Sequence, residues 1–320
     1  MTSPLSEAEL VWLSDFVNAR LGLHFARAKW AELERQTNAA AVEYGFAEAR
    51  EFLRWLVSSP LSQEQIEMLA AHLTISETYF WREPKVFEAL RDKIIPAFIR
   101  ARQSGPRMLR LWCAGCSTGE EAYSIAIVLR ELVPAGQPWR ITLLATDINP
   151  HSLRRAALGV YGDWSFRGMP AVLKEKYLRQ RGDGQYEVIP EIRKMVTFAY
   201  LNLAEDVYPA LQSNTNAMDV IFCRNVLMYF PRELRQVMAQ RFYRALNDDG
   251  WLMVAAAELS ERVFSGFATV RFPGAFIYQR STAPAASTAL VPPPAVLLPT
   301  ILPPAAALPP AASPAPLARP

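Results

Sequence analysis

The sequence has 320 residues, of which 51% are hydrophobic and 20% charged, enough for one or two folded cores. Its 34 basic and 31 acidic residues give a formal charge of +3, a balance that argues against nucleic acid as the main partner. It has no signal-peptide pattern, no apolar run that would span a membrane and an odd number of cysteines. We therefore expect a cytoplasmic protein without membrane insertion or a disulfide framework.

Residues 1–73 are predicted to form a bundle of four short helices. Ser6 and Glu9 have the spacing of a capping box, and apolar residues then recur at helical intervals until Gly22. Ser62 and Gln65 begin another such segment, with two amphipathic runs in between. This pattern is typical of an all-α N-terminal domain.

The second helical segment is predicted to carry a basic stripe of Arg27, Lys29 and Arg35. Such a stripe is either a solvated helix face or a surface that binds an acidic partner. Both interpretations stay open from composition alone.

From residue 105 onward, strand-like and helix-like segments alternate. The predicted strands cover residues 108–114, 141–147, 195–203, 218–225 and 251–258. The predicted helices cover residues 123–133, 151–159 and 231–246. This alternation indicates an α/β fold with a mostly parallel sheet, in which ligands bind at the carboxyl ends of the strands.

The first strand is followed by a loop of small residues and two acids, AGCSTGEE. Gly115 and Gly119 allow a ligand to approach the backbone closely, and the next helix offers free N–H groups. A phosphate-binding loop would have a lysine here, whereas this loop has Glu120 and Glu121. These carboxylates repel a polyphosphate and favour a ligand with a positive charge.

The second strand ends in Asp147, where a carboxylate is placed to accept hydrogen bonds from both hydroxyls of a ribose. A nucleoside with a cationic tail satisfies both loops, and S-adenosylmethionine is that molecule. Asp147 alone is also compatible with the N-cap of the next helix. The separation from Gly119 exceeds the roughly 20 residues of the dinucleotide fingerprint, which argues against a dehydrogenase.

No metal or hydrolase site is predicted. Cys113 and Cys116 form a CxxC pair, but Cys113 falls within a predicted strand and no second pair accompanies it. The three histidines are far apart in sequence, and no nucleophile–histidine–acid set is recognisable.

The composition changes in residues 282–320, where Pro and Ala dominate and Arg319 is the one charged residue. Repeated prolines are incompatible with a continuous helix or a central strand. We predict a disordered tail or a polyproline-like linker.

Six segments occur in an order that is typical of one protein family: TISETYFWREP at 74–84, CAGCSTGEEAYSIAI at 113–127, ATDIN at 145–149, YGDWSFRG at 161–168, the pair Asn202-Leu203, and FCRNVLMYF at 222–230. Together they resemble the CheR-type chemotaxis protein methyltransferases over nearly all of residues 5–280. Ser76 stands where members usually have Asn, Trp81 where Phe is common, and Ala122 where they usually have Pro. None of these changes argues against cofactor binding.

The resemblance implies a class I, Rossmann-like S-adenosylmethionine-dependent methyltransferase domain at residues 74–281, preceded by the helical domain at 1–73. It also implies a small antiparallel β-subdomain, inserted at about 168–200. Its members transfer a methyl group to glutamate side chains in the cytoplasmic domains of chemoreceptors, which forms methyl esters and S-adenosylhomocysteine. In some members the inserted subdomain binds a short peptide at the receptor C-terminus. We expect a monomer that uses no metal.

The resemblance also assigns roles to residues of this sequence. Arg82 and Tyr229 are the expected catalytic residues. The expected cofactor contacts are Ser76, Thr78, Arg82, Gly115, Glu120 or Glu121, Asp147, Asn202, Leu203, Arg224 and Asn225. Arg82 serves either the substrate carboxylate or the cofactor carboxylate, and Tyr229 is either a positioning hydroxyl or a packing residue.

The chemistry of such a transfer requires no general base, because a free glutamate has a pKa of about 4.3 and is already ionised at neutral pH. Alignment and a dry pocket are then the expected contributions of the protein. Arg27, Lys29 and Arg35 become candidates for docking a glutamate-rich receptor helix. The competing functions are methylation of a different substrate and a regulatory protein that binds the cofactor without turnover.

Overall fold

The computed structural model describes residues 4–58, 60–134 and 136–280, so the predicted tail at 282–320 lies outside the described residues. The described residues divide into two compact units. The helical unit comprises the N-terminal residues up to Thr74 together with Tyr229–Pro231. The sheet unit comprises Ile75–Met228 and the chain from Arg232 onward.

The helical unit contains four helices, as the sequence predicts: α1 (Glu7–Leu21), α2 (Trp30–Glu43), α3 (Ala49–Ser58) and α4 (Gln63–Leu73). Both predicted capping boxes are present, because Ser6 and Ser62 each accept the N–H three residues ahead. Gly22 ends α1 in the left-handed conformation, with φ 75°. Local sequence signals therefore fix the helix ends of this unit.

The basic stripe does not lie on one helix, and this part of the prediction is wrong. Arg27 and Lys29 belong to a short 3-10 turn, and α2 begins only at Trp30. The backbone of Lys29 has φ −105° and ψ 7°, outside the helical range. Only Arg35 of the three residues is on α2.

The sheet unit is built on a seven-stranded sheet with the order β6-β2-β1-β7-β8-β10-β9. The parallel strands are β1 (Met108–Ala114), β2 (Arg140–Asp147), β6 (Val196–Tyr200), β7 (Met218–Phe222) and β8 (Leu246–Met253). An antiparallel hairpin of β9 (Phe267–Phe272) and β10 (Ala275–Arg280) completes one edge. The predicted α/β architecture is confirmed.

Helices cover both faces of this sheet. They are α5 (Pro84–Ala89), α6 (Ile95–Ala101), α7 (Glu120–Leu132), α8 (Pro150–Leu158), α9 (Ala171–Tyr177), α10 (Pro190–Arg193) and α11 (Arg232–Ala245), with a π-helical turn at Leu90–Ile94. Strand β1 shows the two-sided burial directly. Leu111 belongs to one apolar core, while the ring of Trp112 packs 5.6 Å from Phe242 of α11. A central parallel strand buried in this way has no polar face.

A second, three-stranded antiparallel sheet has the order β3-β5-β4. Its strands are β3 (Val160–Gly162), β4 (Leu178–Gln180) and β5 (Gln185–Val188). The small sheet therefore starts earlier than the expected position 168. It also ends earlier than 200, because β6 pairs in parallel with β2 of the main sheet, with Leu143 opposite Val196.

Candidate active site

The strand order reverses at β1, which has β2 on one side and β7 on the other. In an open parallel sheet, such a reversal of strand order leaves a crevice at the carboxyl ends of the strands, where ligands bind. Gly115 follows β1 and Arg224 follows β7 closely. The predicted glycine loop and the predicted Arg224-Asn225 pair are therefore at the switch point of the sheet.

The glycine loop packs against its neighbours too closely for larger side chains. Gly115 has φ 79°, and a Cβ atom added there would lie 2.4 Å from Cγ2 of Val226. Gly119 has φ 94°, and its added Cβ would lie 2.8 Å from Cβ of Ala156. Positive φ and close contact together explain why glycine occupies both positions.

Glu120 and Glu121 are both buried and both hydrogen-bonded to protein groups. Glu120 accepts from the hydroxyls of Thr118 at 2.6 Å and Ser165 at 3.0 Å. Glu121 accepts from Nη1 of Arg224 at 2.5 Å. Burial raises the pKa of Glu120, although the two hydroxyls oppose the shift. The acids that the sequence assigned to a cationic ligand therefore also hold the loop together.

Asp147 is fixed by backbone donors from the glycine loop and from the loop that follows β2. Its Oδ2 accepts from the N–H of Ser117 at 2.7 Å, and its Oδ1 accepts from the N–H of Asn149 at 2.9 Å. The N-cap of α8 is Asn149, whose side chain accepts from Ser152, so the alternative interpretation of Asp147 as this N-cap is wrong. The N–H of Ile148 is a third backbone donor to this carboxylate. A carboxylate has about four acceptor positions, so one is left for a ribose hydroxyl.

The segment from Ser76 to Arg82 carries the other predicted contacts on this side of the unit. The Ser76 hydroxyl is exposed and lies 2.9 Å from the Ser152 hydroxyl at the start of α8. Thr78 and Arg82 are half-buried. Arg82 donates from Nη1 to the carbonyl of Glu77 at 2.7 Å. The Arg82 guanidinium thus folds back on its own segment.

The loop that follows β7 is organised by a residue that the sequence did not single out, Glu258. Its carboxylate accepts from the N–H groups of Asn225 at 2.8 Å, Met228 at 3.3 Å and Ala255 at 3.0 Å. Asn225 has a left-handed backbone, with φ 58°. Glu258 ends the predicted strand segment 251–258 as Asp147 ends 141–147, so the same signal marks Glu258, although β8 itself ends at Met253.

Replacement of Glu258 by Gln is expected to destabilise the protein by about 1–3 kcal/mol, because an amide accepts at one oxygen only and leaves a buried N–H without a partner. Urea unfolding measures the change. Glu261→Gln is the matched control, since Glu261 is exposed three residues further on. Equal stability of the two variants would contradict this role of Glu258.

Asn202 and Leu203 are both buried. The Asn202 side chain is used in a local turn, where Oδ1 accepts from the N–H of Ala204 at 2.9 Å and Nδ2 donates to Glu205 at 3.1 Å. The carbonyl of Leu203 accepts from the Tyr208 hydroxyl at 3.0 Å. The predicted contact of this pair with adenine stays a prediction.

Tyr229 and the predicted docking residues belong to the helical unit. The carbonyl of Tyr229 accepts from the N–H of His24 at 2.7 Å, and Nζ of Lys29 lies 5.8 Å from its ring centre. Arg27 is exposed and pairs with Glu7 at 2.6 Å, and Arg35 is also exposed. The part of Tyr229 in methyl transfer stays a prediction.

The residues at the strand ends fit the predicted cofactor. Asp147 retains acceptor capacity for a ribose hydroxyl, and Gly115 keeps the backbone free of a side chain. The buried hydroxyl of Ser117 has no hydrogen-bond partner among the described residues, a condition that a polar ligand would relieve. Within those same residues there is no cluster of His, Cys, Asp and Glu suited to a metal ion.

Comparison with known proteins decides the family. Residues 76–272 match the sequence profile described as CheR methyltransferase, SAM binding domain. The chain belongs to the CheR methyltransferase family. A chemotaxis protein methyltransferase of Borreliella burgdorferi is 32% identical over 256 residues, 79% of this chain and 89% of that protein. Chemotaxis protein methyltransferase 2 of Vibrio cholerae is 36% identical over 211 residues, 66% of this chain and 72% of that protein.

Solved structures are more distant. Magnesium protoporphyrin IX methyltransferase of Synechocystis is 12% identical, with a TM-score of 0.33 over 88% of this chain and 100% of that chain. This likeness is too weak to extend the assignment. The CheR profile itself confirms the resemblance noted from the motifs, and with it S-adenosylmethionine as the cofactor of a methyltransferase. In residues 4–280, as far as they are described, no helix combines the length and apolarity that a membrane span requires.

Proposed function

We propose that this CheR family member methylates glutamate side chains in the cytoplasmic domains of chemoreceptors. The observation that carries the proposal is the match of residues 76–272 to the CheR methyltransferase family. The pair of loops at the switch point supports the cofactor, with Asp147 fixed beside a glycine loop that has no phosphate-binding lysine. Its named relatives in Borreliella burgdorferi and Vibrio cholerae are chemotaxis protein methyltransferases. The partners proposed for this chain follow from those relatives.

The bound S-adenosylmethionine supplies a methyl group on a sulfonium centre, and the protein contributes binding and alignment. Asp147 would accept a hydrogen bond from the ribose, and the glycine loop would admit the cofactor close to its backbone. The substrate glutamate is ionised at neutral pH, so no side chain has to remove a proton. Arg82 is the proposed partner of this carboxylate, in exchange for its contact with the Glu77 carbonyl. Such a pairing would orient the glutamate but also stabilise the ground state, so a weak, partly solvated contact would give the faster transfer.

Peptide mass mapping tests this function. The purified protein, S-adenosylmethionine and receptor cytoplasmic domains are incubated, and the receptor is digested and mapped. We expect methyl groups on glutamates of the receptor helices, and none after those glutamates are replaced by Gln. Methylation at lysine, at an N-terminus or on a small molecule would support a different substrate. Cofactor binding without any methylated product would support the regulatory alternative.

A second expectation concerns receptor docking by the helical unit. Arg27→Glu with Arg35→Glu is expected to raise KM for the receptor several-fold, because exposed charges steer association with an acidic partner. Cofactor affinity should not change. Arg262→Glu, at an exposed position of the sheet unit, is the control. Unchanged receptor kinetics, or an equal effect of the control, would exclude these arginines from docking.

A further inference from the structure

The backbone on both sides of Arg82 is strained. Trp81 has φ 59° and Glu83 has φ 57°, and neither is a glycine. Non-glycine residues adopt this left-handed conformation at a cost in free energy, and they retain it where neighbouring groups over-determine the backbone. The segment that carries Arg82 therefore depends on its contacts for its shape.

Hydrogen bonds to other parts of the sheet unit hold this segment in place. The N–H of Phe80 donates to the carbonyl of Ser165 at 2.9 Å, and the N–H of Trp81 donates to the hydroxyl of Ser124 on α7 at 3.2 Å. Nη2 of Arg224 donates to the carbonyl of Arg82 itself, at 2.7 Å. Arg224 is thus the charged group that grips the peptide at the strained position.

Arg224 is in turn held rigidly. Its side chain is 1% exposed, with Nη1 at 2.5 Å from Glu121 and Nη2 at 3.3 Å from Glu83. A buried guanidinium between two carboxylates has little freedom, since any displacement leaves charges unpaired. Arg224 therefore connects the end of β7, the first turn of α7 and the backbone of Arg82.

We propose that Arg224 is a positioning residue for methyl transfer. It acts by holding the backbone of Arg82 at the place from which the Arg82 side chain, which donates to the Glu77 carbonyl in this structure, reaches the substrate. This inference rests on the proposed function. It adds a second role to Arg224, for which the resemblance to the family implies a cofactor contact. Nε of Arg224 has no hydrogen-bond partner among the described residues, so one donor is left for a ligand. The two roles require separate measurements.

The first measurement needs no substrate. Hydrogen exchange of the peptide that covers residues 79–84 is compared between the wild-type protein and Arg224→Lys, with Arg262→Lys as an exposed control. A lysine retains the charge but not the two-pronged grip on Glu121 and the Arg82 carbonyl. We expect faster exchange in Arg224→Lys and wild-type exchange in the control. Unchanged exchange in Arg224→Lys would overturn the proposal whether or not the wild-type protein methylates receptors.

The second measurement is a double-mutant cycle with Arg82→Ala on receptor methylation at saturating cofactor. Arg224→Lys is expected to lower kcat/KM for the receptor by about tenfold to a hundredfold, as misplacement of an aligning group does. The double variant should be no slower than Arg82→Ala alone. Additive losses, or a loss explained wholly by the Kd for S-adenosylmethionine, would overturn the proposal. Absence of transfer by the wild-type protein would instead refute the proposed function.

Ser124→Ala keeps the proposal testable if Arg224→Lys does not fold. It removes the acceptor of the Trp81 N–H from a helix interior that tolerates alanine well. We expect the same coupling to Arg82, with a smaller loss. Two results together would overturn the proposal: residues 79–84 of Ser124→Ala exchange as in the wild type, and its loss in kcat/KM adds to that of Arg82→Ala.

Discussion

Replacement of Asp147 by Asn is expected to weaken S-adenosylmethionine binding roughly a hundredfold, the largest effect on affinity from a single polar group. A hydrogen bond to a charged acceptor is worth about 1.5–3 kcal/mol, and the upper value corresponds to roughly a hundredfold in Kd. The amide also places an NH2 group against one of the backbone donors of Ser117 and Asn149. Both the lost hydrogen bond and the misplaced NH2 group lower the affinity for the cofactor.

Isothermal titration with S-adenosylmethionine and S-adenosylhomocysteine measures this change. Asp163→Asn is the matched control, since the Asp163 side chain is 72% exposed and forms a surface ion pair with Lys174. Burial raises the pKa of Asp147, so its protonation begins above the ordinary range of a carboxylate. Affinity should therefore fall as the pH is lowered through that raised pKa. A Kd for Asp147→Asn equal to that of the control would contradict the ribose contact.

Gly119→Ala is expected to destabilise the protein by about 2–5 kcal/mol, the larger of the stability effects considered. The left-handed backbone costs a non-glycine residue about 1–2 kcal/mol, and overpacking adds about 1–3 kcal/mol. The new Cβ would meet Cβ of Ala156 at 2.8 Å and Cα of Ala156 at 3.2 Å. Because one of these atoms is backbone, relief requires movement of α8 rather than of a side chain.

Gly184→Ala separates the cost of the left-handed backbone from the cost of overpacking. Gly184 also has a positive φ, 68°, but an added Cβ meets nothing within 4 Å. Thermal and urea unfolding of both variants should show a clearly larger loss for Gly119→Ala, and the difference measures the close packing of the glycine loop on α8. Equal losses would mean that the contact with Ala156 relaxes without cost.

The central strands could be predicted from the sequence because their signals are local. Strand β1 has the predicted bounds, 108–114, since a run of apolar residues between a turn and a glycine loop admits few alternatives. The helix starts at Ser6 and Ser62 carry their own capping residues. Asp147 was identifiable because it is the last residue of the strand that follows the glycine loop along the chain.

The remaining features depend on contacts distant in sequence. Glu258 acts on Asn225, 33 residues earlier, and nothing near Glu258 indicates that partner. The β9–β10 hairpin and the small sheet from β3 to β5 have short strands that pair only in the folded chain. Likewise, the placement of Arg224 between Glu121 and the Arg82 carbonyl joins three segments that no local pattern relates.

The measurement that tests the central claim most directly uses methyl-labelled S-adenosylmethionine with receptor cytoplasmic domains, followed by treatment of the product with base. The wild-type protein and Asp163→Asn should place label on the receptor that base releases as methanol, the mark of a carboxyl methyl ester. Asp147→Asn should place little at the same cofactor concentration. Label that resists base, or cofactor binding with no label on any receptor, would contradict glutamate methylation by this protein.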